Sequence, residues 1–466
     1  MQQIYDGAPY VIPHSSSKQR FVLPAWLFYT IVSLTLLLYS WLQQPIYLNA
    51  AILMMAGYIC VSHAYRHFLL IAFLLPSLHL FVTEDSGVSY ATLLFLVALV
   101  KYVAARFNTM KLHVVGLIVM LGMIAYEWLH LFLNGQVMIV PAIRWSALFL
   151  YASLMIIDMN FKPDFKQVAH YFVAGIVLSS VCGFVMSFAN ASDAVTGYAR
   201  FEGAGGDPNG FGMMILMAAF FLLHIYKQSQ FPKPQYIYFA LGLMLLGLST
   251  LSRAYLLTAA ITTVLLAGYM IVTSEHSMIR LRRKLAFAVL VFAAVFTVPA
   301  IGFITSIMER MSIGDSLQKM TGLRSMLAQQ YWEVFTESTL WEMLWGKGVI
   351  GYLQQSNISV MGVLTGPHNT YLESLMAWGM CGTMLFVIYM VVLNQCQKQK
   401  VDPGHRPSFL SYLPIISTLI FLLSLQSLAK YSTYFYMTML LMNMYYCEHA
   451  NRGNAERISP SVTVRK

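Results

Sequence analysis

Long stretches without a charged residue set the tightest limit on what this chain can fold into. The run from Ala259 to Val272 and the run from Leu285 to Ile304 contain no charged side chain. A membrane-spanning helix needs about 20 mostly apolar residues. Such runs recur along all 466 residues, of which 58% are hydrophobic and only 10% are charged, whereas soluble domains carry about 25% charged residues. The sequence therefore predicts an all-α, polytopic integral membrane protein.

Hydropathy predicts about 12–14 transmembrane helices joined mostly by short connections. We expect an N-terminal tail at 1–20, helices over 21–305, a large outer loop at 306–368, C-terminal helices over 369–447 and a tail at 448–466. The apolar spans are placed at 21–42, 46–63, 67–82, 88–105, 112–132, 140–158, 168–189, 209–226, 235–250, 254–273, 285–305, 369–394, 409–427 and 431–447.

The placement of basic residues predicts the orientation. The formal net charge is +10, and with these spans most of the 29 Lys and Arg residues fall on the same side as the N-terminus, including the cluster Arg280–Lys284. Cytoplasmic loops carry this excess in membrane proteins. We therefore expect both termini in the cytoplasm, and we interpret the net charge as a topology signal rather than as a nucleic-acid site. The first apolar run is longer than the core of a cleavable signal peptide.

The large outer loop has a pattern of its own. Apolar residues recur at helical spacing from Leu323 through Leu327 and Tyr331 to Phe335, which predicts a helix whose apolar face lies on the membrane domain. Trp341 suits the membrane interface, and Lys347 between two glycines marks a turn.

Basic residues on the outer side are exceptions to the predicted excess of Lys and Arg on the inner side. We therefore expect the functional residues among them. Arg200 opens a glycine-containing segment that also carries Glu202 and ends in Asp207-Pro208-Asn209. Glycines let backbone approach a ligand, and a helix N-terminus capped by Asp207 or Asn209 favours anions. An ordinary glycine-rich loop with a helix cap explains the same residues.

Three further residues are candidates, each with a plain alternative. Arg253 lies at the outer junction of two apolar helices, where it either extends to lipid headgroups or faces a polar cavity. Arg324 begins the predicted loop helix and is either a solvated surface residue or an anion ligand. His368 lies where the loop returns to the membrane and is either a helix cap or a functional imidazole.

These residues together resemble a known family. His368-Asn369, followed after nine residues by Gly379 and after two more by Gly382, resembles the signature of the O-antigen ligase and Wzy-type polysaccharide polymerase superfamily. The order and sidedness of the other features match that family over roughly residues 195 to 385. Those features are Arg200 with Asp207-Pro208-Asn209, Ser252-Arg253, Gly322-Leu-Arg324, and Gly346-Lys-Gly348.

The resemblance implies a metal-independent glycosyltransferase of the bacterial inner membrane that uses no cofactor. The donor would be an oligosaccharide on undecaprenyl diphosphate, the acceptor a glycan or lipid A-core, and other polysaccharide-assembly proteins would be possible partners. Arg200 and Arg324 would stabilise the charge that grows on the diphosphate leaving group, and His368 would activate the acceptor hydroxyl. Arg253, Asn369, Asp207, Asn209 and Glu202 would bind substrate, with Glu373 as a further supporting carboxylate.

The sequence leaves the role open in two respects. A polymerase of O-antigen or exopolysaccharide, a ligase that completes lipopolysaccharide and a protein O-oligosaccharyltransferase differ only in the acceptor. A transporter or flippase is a different class, for which charged residues at mid-membrane depth and inverted repeats are expected. A scaffold subunit would leave the histidine and the arginines unused.

Overall fold

The computed structural model describes residues 24–81, 89–133, 139–189, 201–204, 206–272, 323–356, 358–360, 363–401, 406–425, 428, 430 and 432–447. The two predicted tails, the predicted span at 285–305 and the cluster Arg280–Lys284 lie outside these residues.

The part of the chain before the large loop folds into consecutive α-helices. They are α1 Ala25–Leu42, α2 Pro45–Val61, α3 Ala64–Leu74, α4 Tyr90–Arg106, α5 Val114–Leu133, α6 Ile139–Ile157, α7 Phe165–Ala189, α8 Pro208–Gln228, α9 Gln235–Leu248 and α10 Arg253–Val272. A 3₁₀ turn, Leu75–Phe81, continues α3. Local signals set the helix ends: Pro45 occupies the first turn of α2, a position that proline favours, and the Ser89 side chain accepts a hydrogen bond from Thr92 N at the start of α4.

The second part of the chain adds the large loop, predicted on the outer side, and the last helices. They are α11 Leu323–Glu337, α12 Leu340–Trp345, α13 Tyr352–Ser356, the strands β1 Ser359–Val360 and β2 Val363–Leu364, and then α14 Thr370–Gln399, α15 Phe409–Leu422 and α16 Ser432–Met444. The two short strands pair antiparallel. Every predicted span within the described chain coincides with a helix, and the all-α prediction is confirmed.

The helices have the length and surface of membrane-spanning segments. By length and composition, seven of the helices in the described residues can cross a membrane, and four shorter apolar helices accompany them. Large apolar side chains stay exposed along the helices, among them Leu53, Val100 and Val264. A repeated apolar surface of this kind suits lipid and is costly in water.

Helix α8 lies at the centre of the bundle. Within its apolar window 83% of residues are buried, whereas the corresponding figure for α1 is 28%. Helix α8 packs against α9 and α15, α3 packs against α7, and α14 packs against α5. The N-terminal end of α8 is therefore surrounded by protein, a setting that suits a binding site.

The large loop contains the predicted helix and packs against the bundle. The side chains of Leu327, Tyr331 and Phe335 are buried on one face of α11, which packs against α14. The Tyr331 hydroxyl donates to Thr365 O at 2.8 Å, and burial raises the pKa of this phenol. Trp341 is exposed.

Candidate functional site

The glycine-rich segment before α8 is pressed into the helix bundle. The amide of Ala204 donates to Ser179 Oγ at 3.0 Å, and a side chain at Gly183 of α7 would collide with the backbone of Gly203. Gly203 and Gly206 have φ of +59° and +65°, a region that glycine enters without penalty. The glycines therefore allow close packing between this segment and α7.

The start of α8 is joined to the start of α10. The Asp207 side chain accepts from Asn209 N at 3.0 Å and caps α8, so of the two predicted caps it is Asp207 that serves. Asn209 is buried, and its Oδ1 accepts from Ser252 Oγ at 2.6 Å. Ser252 in turn accepts from Tyr255 N at 3.1 Å. These bonds bring Asp207, Asn209 and Ser252 together.

Arg253 is the first residue of α10 and is exposed. It follows Leu251, whose φ is +48°, and Ser252, which is held by Asn209. The Arg253 side chain therefore begins at a fixed backbone position beside the N-terminus of α8. Glu202 lies half-buried in the segment whose Phe201 N donates to Ser249 O at 3.3 Å, so Glu202 belongs to the same end of the bundle.

The start of α14 carries His368 and Asn369. The Asn369 side chain accepts from Tyr371 N at 3.0 Å and from Leu372 N at 3.3 Å. Asn369 is therefore the cap, so capping does not explain His368. His368 is half-buried and has φ of +47°. A non-glycine residue with positive φ is uncommon, and such strain of about 1–3 kcal/mol concentrates at functional positions.

A segment after α15 connects the two helix starts. Thr370 Oγ1 donates to Leu425 O at 2.7 Å, and the buried carboxylate of Glu373 accepts from Leu428 N at 3.1 Å. Two residues later, Lys430 Nζ lies 3.6 Å from Asp207 Oδ2. The N-termini of α8 and α14 consequently lie at one end of the bundle, with Lys430 between them.

The Gly-Lys-Gly segment of the loop is inserted at a break in α14. Gly379 interrupts the helix with φ of +60° and ψ of −169°. The freed carbonyl of Ala377 accepts from Lys347 N at 3.1 Å and from Gly348 N at 2.6 Å. A side chain at Gly379 would lie 2.5 Å from Leu344 O. Glycine is therefore required where loop and helix backbones touch.

Helix α5 holds the Gly-Lys-Gly segment of the loop from the other side. The fully buried Glu127 carboxylate accepts from Val349 N at 3.1 Å, from Ile350 N at 3.3 Å and from Trp378 Nε1 at 3.2 Å. His130 Nε2 lies 2.6 Å from Trp345 O. All these partners belong to the loop or to α14, so Glu127 and His130 hold the loop in place.

An ion pair fixes the other side of the loop. Lys347 Nζ lies 3.6 Å from Glu342 Oε1, and Thr339 and Glu342 form a capping box at the start of α12. Partial burial acts to raise the pKa of Glu342, but hydrogen bonds from Thr339 and the Lys347 charge outweigh burial and hold this pKa below its usual range. The carboxylate therefore stays ionised, and its pairing with Lys347 adds to the backbone bonds beside the Gly379 break.

Three residues at or near this end of the bundle are not among the site residues that the sequence motifs indicate. Lys430 is 57% exposed and is a basic residue in a short connection predicted on the outer side, the same signal that indicates Arg253. His79 lies against the glycine-rich segment, because a side chain at Gly206 would come within 2.8 Å of its ring. Glu127 had a clearer signal, since ionisable residues inside apolar spans are rare and have specific partners.

Two predicted residues are not placed. Arg200 lies outside the described residues, and Arg324 is the second residue of α11 with a side chain outside the described part of the structure. Among the residues that the structure describes, no three His, Cys, Asp or Glu side chains converge as metal ligands.

The helices and their exposed apolar surface define the class: this is an all-α, multi-pass membrane protein. No protein-family model matches the chain, and no match is found among curated proteins.

Proposed function

We propose that the protein is a membrane glycosyltransferase of the O-antigen ligase or polysaccharide polymerase type. It acts at the periplasmic face of the bacterial inner membrane and uses a glycan carried on undecaprenyl diphosphate. The glycan passes to an acceptor hydroxyl, and the lipid diphosphate is released with the electron pair of the broken glycosidic bond. The acceptor hydroxyl loses its proton to a base.

One observation carries the proposal. The contacts of Leu425, Leu428 and Lys430 join the start of α14 to the start of α8. Two helix N-termini, the cations Arg253 and Lys430, and the imidazole of His368 therefore lie at a single end of the bundle. Helix N-termini and cations are the groups that bind phosphate.

The chemistry of the proposed reaction suits these residues. Charge develops on the diphosphate as the bond breaks, and fixed cations stabilise that charge in the transition state. Arginine binds phosphate oxygens in bidentate fashion, which assigns this role to Arg200, Arg253 and Arg324. His368 is the proposed base, because an ordinary imidazole is partly neutral near neutral pH.

The attachment of the loop to the bundle supports the same proposal. The loop is fixed to α14 at Gly379 and to α5 through Glu127. A loop held in this way can cover the sugar while leaving an entry for the acceptor. Glu127 uses its oxygens to hold the loop, so its presence inside an apolar helix does not favour the transporter alternative.

The proposal is tested in a strain deleted for the gene and complemented at matched membrane levels. We expect His368→Ala, Arg324→Ala and Arg253→Ala to lose surface glycan on gels, while Lys111→Ala at the opposite end of the bundle restores it. Single-repeat products would identify a polymerase, and bare lipid A-core with carrier-bound glycan a ligase. Full restoration of surface glycan by the His368 and Arg324 variants would contradict the proposed enzymatic role and favour a transporter or a scaffold.

A further inference from the structure

A basic cavity lies at the opposite end of the bundle from the candidate site. It has a volume of about 350 Å³ and lies between the start of α3, the end of α4 and the connection from α6 to α7. Its polar lining comprises His63, Tyr65, Arg106, Thr109, Asn160 and Lys162. The volume falls within the range of about 300–1,000 Å³ typical of small-molecule sites.

Arg106 is fixed in the cavity wall by a buried carboxylate. Asp158 is fully buried, and its Oδ2 accepts from Arg106 Nε at 2.8 Å and from Tyr102 Oη at 3.0 Å. Its Oδ1 accepts from Asn160 N at 3.0 Å and from Lys111 N at 3.3 Å. Asp158 is therefore satisfied on both oxygens, and its charge fixes the position of Arg106.

Within the described part of the chain, the terminal nitrogens of Arg106 make no hydrogen bond. Among the described residues only Asp158 hydrogen-bonds this guanidinium, through Nε. The rings of Tyr102 and Phe161 lie 5.8 Å and 5.5 Å from its central carbon and restrict its orientation. A guanidinium held by Nε presents its terminal donors as a fork, which matches two oxygens of a phosphate.

The lining carries an excess of positive charge. Lys162 and His63 are exposed residues of the cavity wall, and the lining within the described chain includes no carboxylate. The nearby Asp164 carboxylate lies outside the lining, where its Oδ1 accepts from Lys166 N at 3.0 Å, and its charge acts on Tyr65 of the wall. Behind the wall, the buried Lys400 ammonium donates to Phe161 O at 3.1 Å. Arg106 and Lys162 are thus the charged donors in the wall that can bind an anion.

We propose that this cavity binds a phosphate group, held by the Arg106 fork and by Lys162. The phosphate belongs either to an anionic lipid headgroup or to a soluble phosphate compound. The cavity opens where α3 and α7 begin and α4 ends, and basic pockets between helices at this level bind anionic headgroups in other membrane proteins.

The test uses the full chain purified in a neutral detergent and titrated calorimetrically with three probes. The probes are dihexanoyl phosphatidylglycerol, dihexanoyl phosphatidylcholine and inorganic phosphate. Lys162→Gln removes a charge from the cavity wall and His63→Gln removes its imidazole, and neither substitution alters a hydrogen bond of Asp158. Lys111→Gln removes an exposed charge outside the lining and is the matched control. We expect Lys162→Gln to weaken binding of the anionic probe by about tenfold or more, and Lys111→Gln to leave it unchanged.

The probes separate the two sources. Tighter binding of phosphatidylglycerol than of inorganic phosphate, lost in Lys162→Gln, supports a lipid headgroup. Equal binding of both anions with the same dependence on Lys162 supports a soluble phosphate. Absence of anion binding overturns the proposal. Binding that is insensitive to Lys162 and His63, or equal for phosphatidylcholine and phosphatidylglycerol, overturns it as well.

Discussion

At the scale of single residues, His368 combines a strained backbone with a chemically useful side chain. Its φ of +47° is a conformation that asparagine tolerates better than most residues. His368→Asn therefore keeps the backbone and removes the imidazole. If His368 is the base, we expect glycan transfer to fall by about 10²-fold or more, with the melting temperature unchanged. A wild-type rate of glycan transfer by His368→Asn would show that activity needs only the backbone conformation at this position and not the imidazole.

Lys430 offers a second test at this scale. Its partner Asp207 is 31% exposed and Lys430 itself is 57% exposed, and an exposed ion pair contributes less than about 1 kcal/mol to stability. We expect Lys430→Gln to lower the transfer rate by about tenfold or more, because a charged hydrogen bond to phosphate is worth about 1.5–3 kcal/mol. Lys430→Arg should retain activity, and full activity of Lys430→Gln would remove Lys430 from the site.

Some single-residue roles could be predicted from the sequence and others could not. The Asp207 cap could be predicted because capping is local, set by an oxygen-bearing side chain just before a Pro-started helix. The position of Lys430 depends on a contact with Asp207 between segments distant in the sequence. No local pattern encodes such a contact. His79 was missed for the same reason, since its neighbour Gly206 belongs to another segment.

At the scale of elements, the break in α14 depends on Gly379. With φ of +60° and ψ of −169°, this residue occupies a region essentially restricted to glycine, at a cost of about 1–3 kcal/mol for other residues. A side chain there would also meet Leu344 O and Gly346 N. We expect Gly379→Ala to lower the melting temperature and to release the loop, detectable as new proteolysis between α12 and α13.

Gly242 in α9 supplies the matched control. A side chain at Gly242 meets no atom within 4 Å, and alanine favours a helix over glycine by about 1 kcal/mol. Gly242→Ala should therefore keep or raise the melting temperature. Equal effects of the two substitutions would mean that the break at Gly379 does not hold the loop.

The C-terminal end of α14 makes stability depend on pH. Burial lowers the pKa of the Lys400 ammonium to about 7, and the group donates to Met155 O at 2.9 Å. An unfolded lysine has a pKa of about 10.4. The unfolded state thus binds more protons between about pH 7 and about pH 10, so this group makes stability rise with pH across that window.

Melting temperatures at pH 7 and pH 9 check this expectation. The difference between wild type and Lys400→Met should shift in favour of the wild type at pH 9. Lys398→Met, which alters an exposed lysine of the same helix, should follow the wild-type profile. Parallel profiles for wild type and Lys400→Met would contradict the lowered pKa.

At the scale of the whole molecule, hydropathy and the order of the connections predicted more of the fold than any motif did. Connections predicted on the outer side meet one another, as in the pair Lys430–Asp207 and the bond from Phe201 N to Ser249 O. Connections predicted on the inner side also meet, as in the bonds of Asp158 to Arg106 and to Lys111 N. Successive connections lie at alternate ends of the bundle, because each helix carries the chain from one end to the other. This alternation does not state which end faces the cytoplasm.

Orientation decides whether the candidate site can use an outer-leaflet donor. Trp341 is 61% exposed at one end, and Lys111 is exposed at the other. In spheroplasts, a membrane-impermeant maleimide should label Trp341→Cys directly and Lys111→Cys only after permeabilisation. The parent chain with its five native cysteines gives the background. The reverse labelling would place His368 and Lys430 in the cytoplasm, where the proposed periplasmic transfer cannot occur, and would leave the basic cavity facing the opposite leaflet.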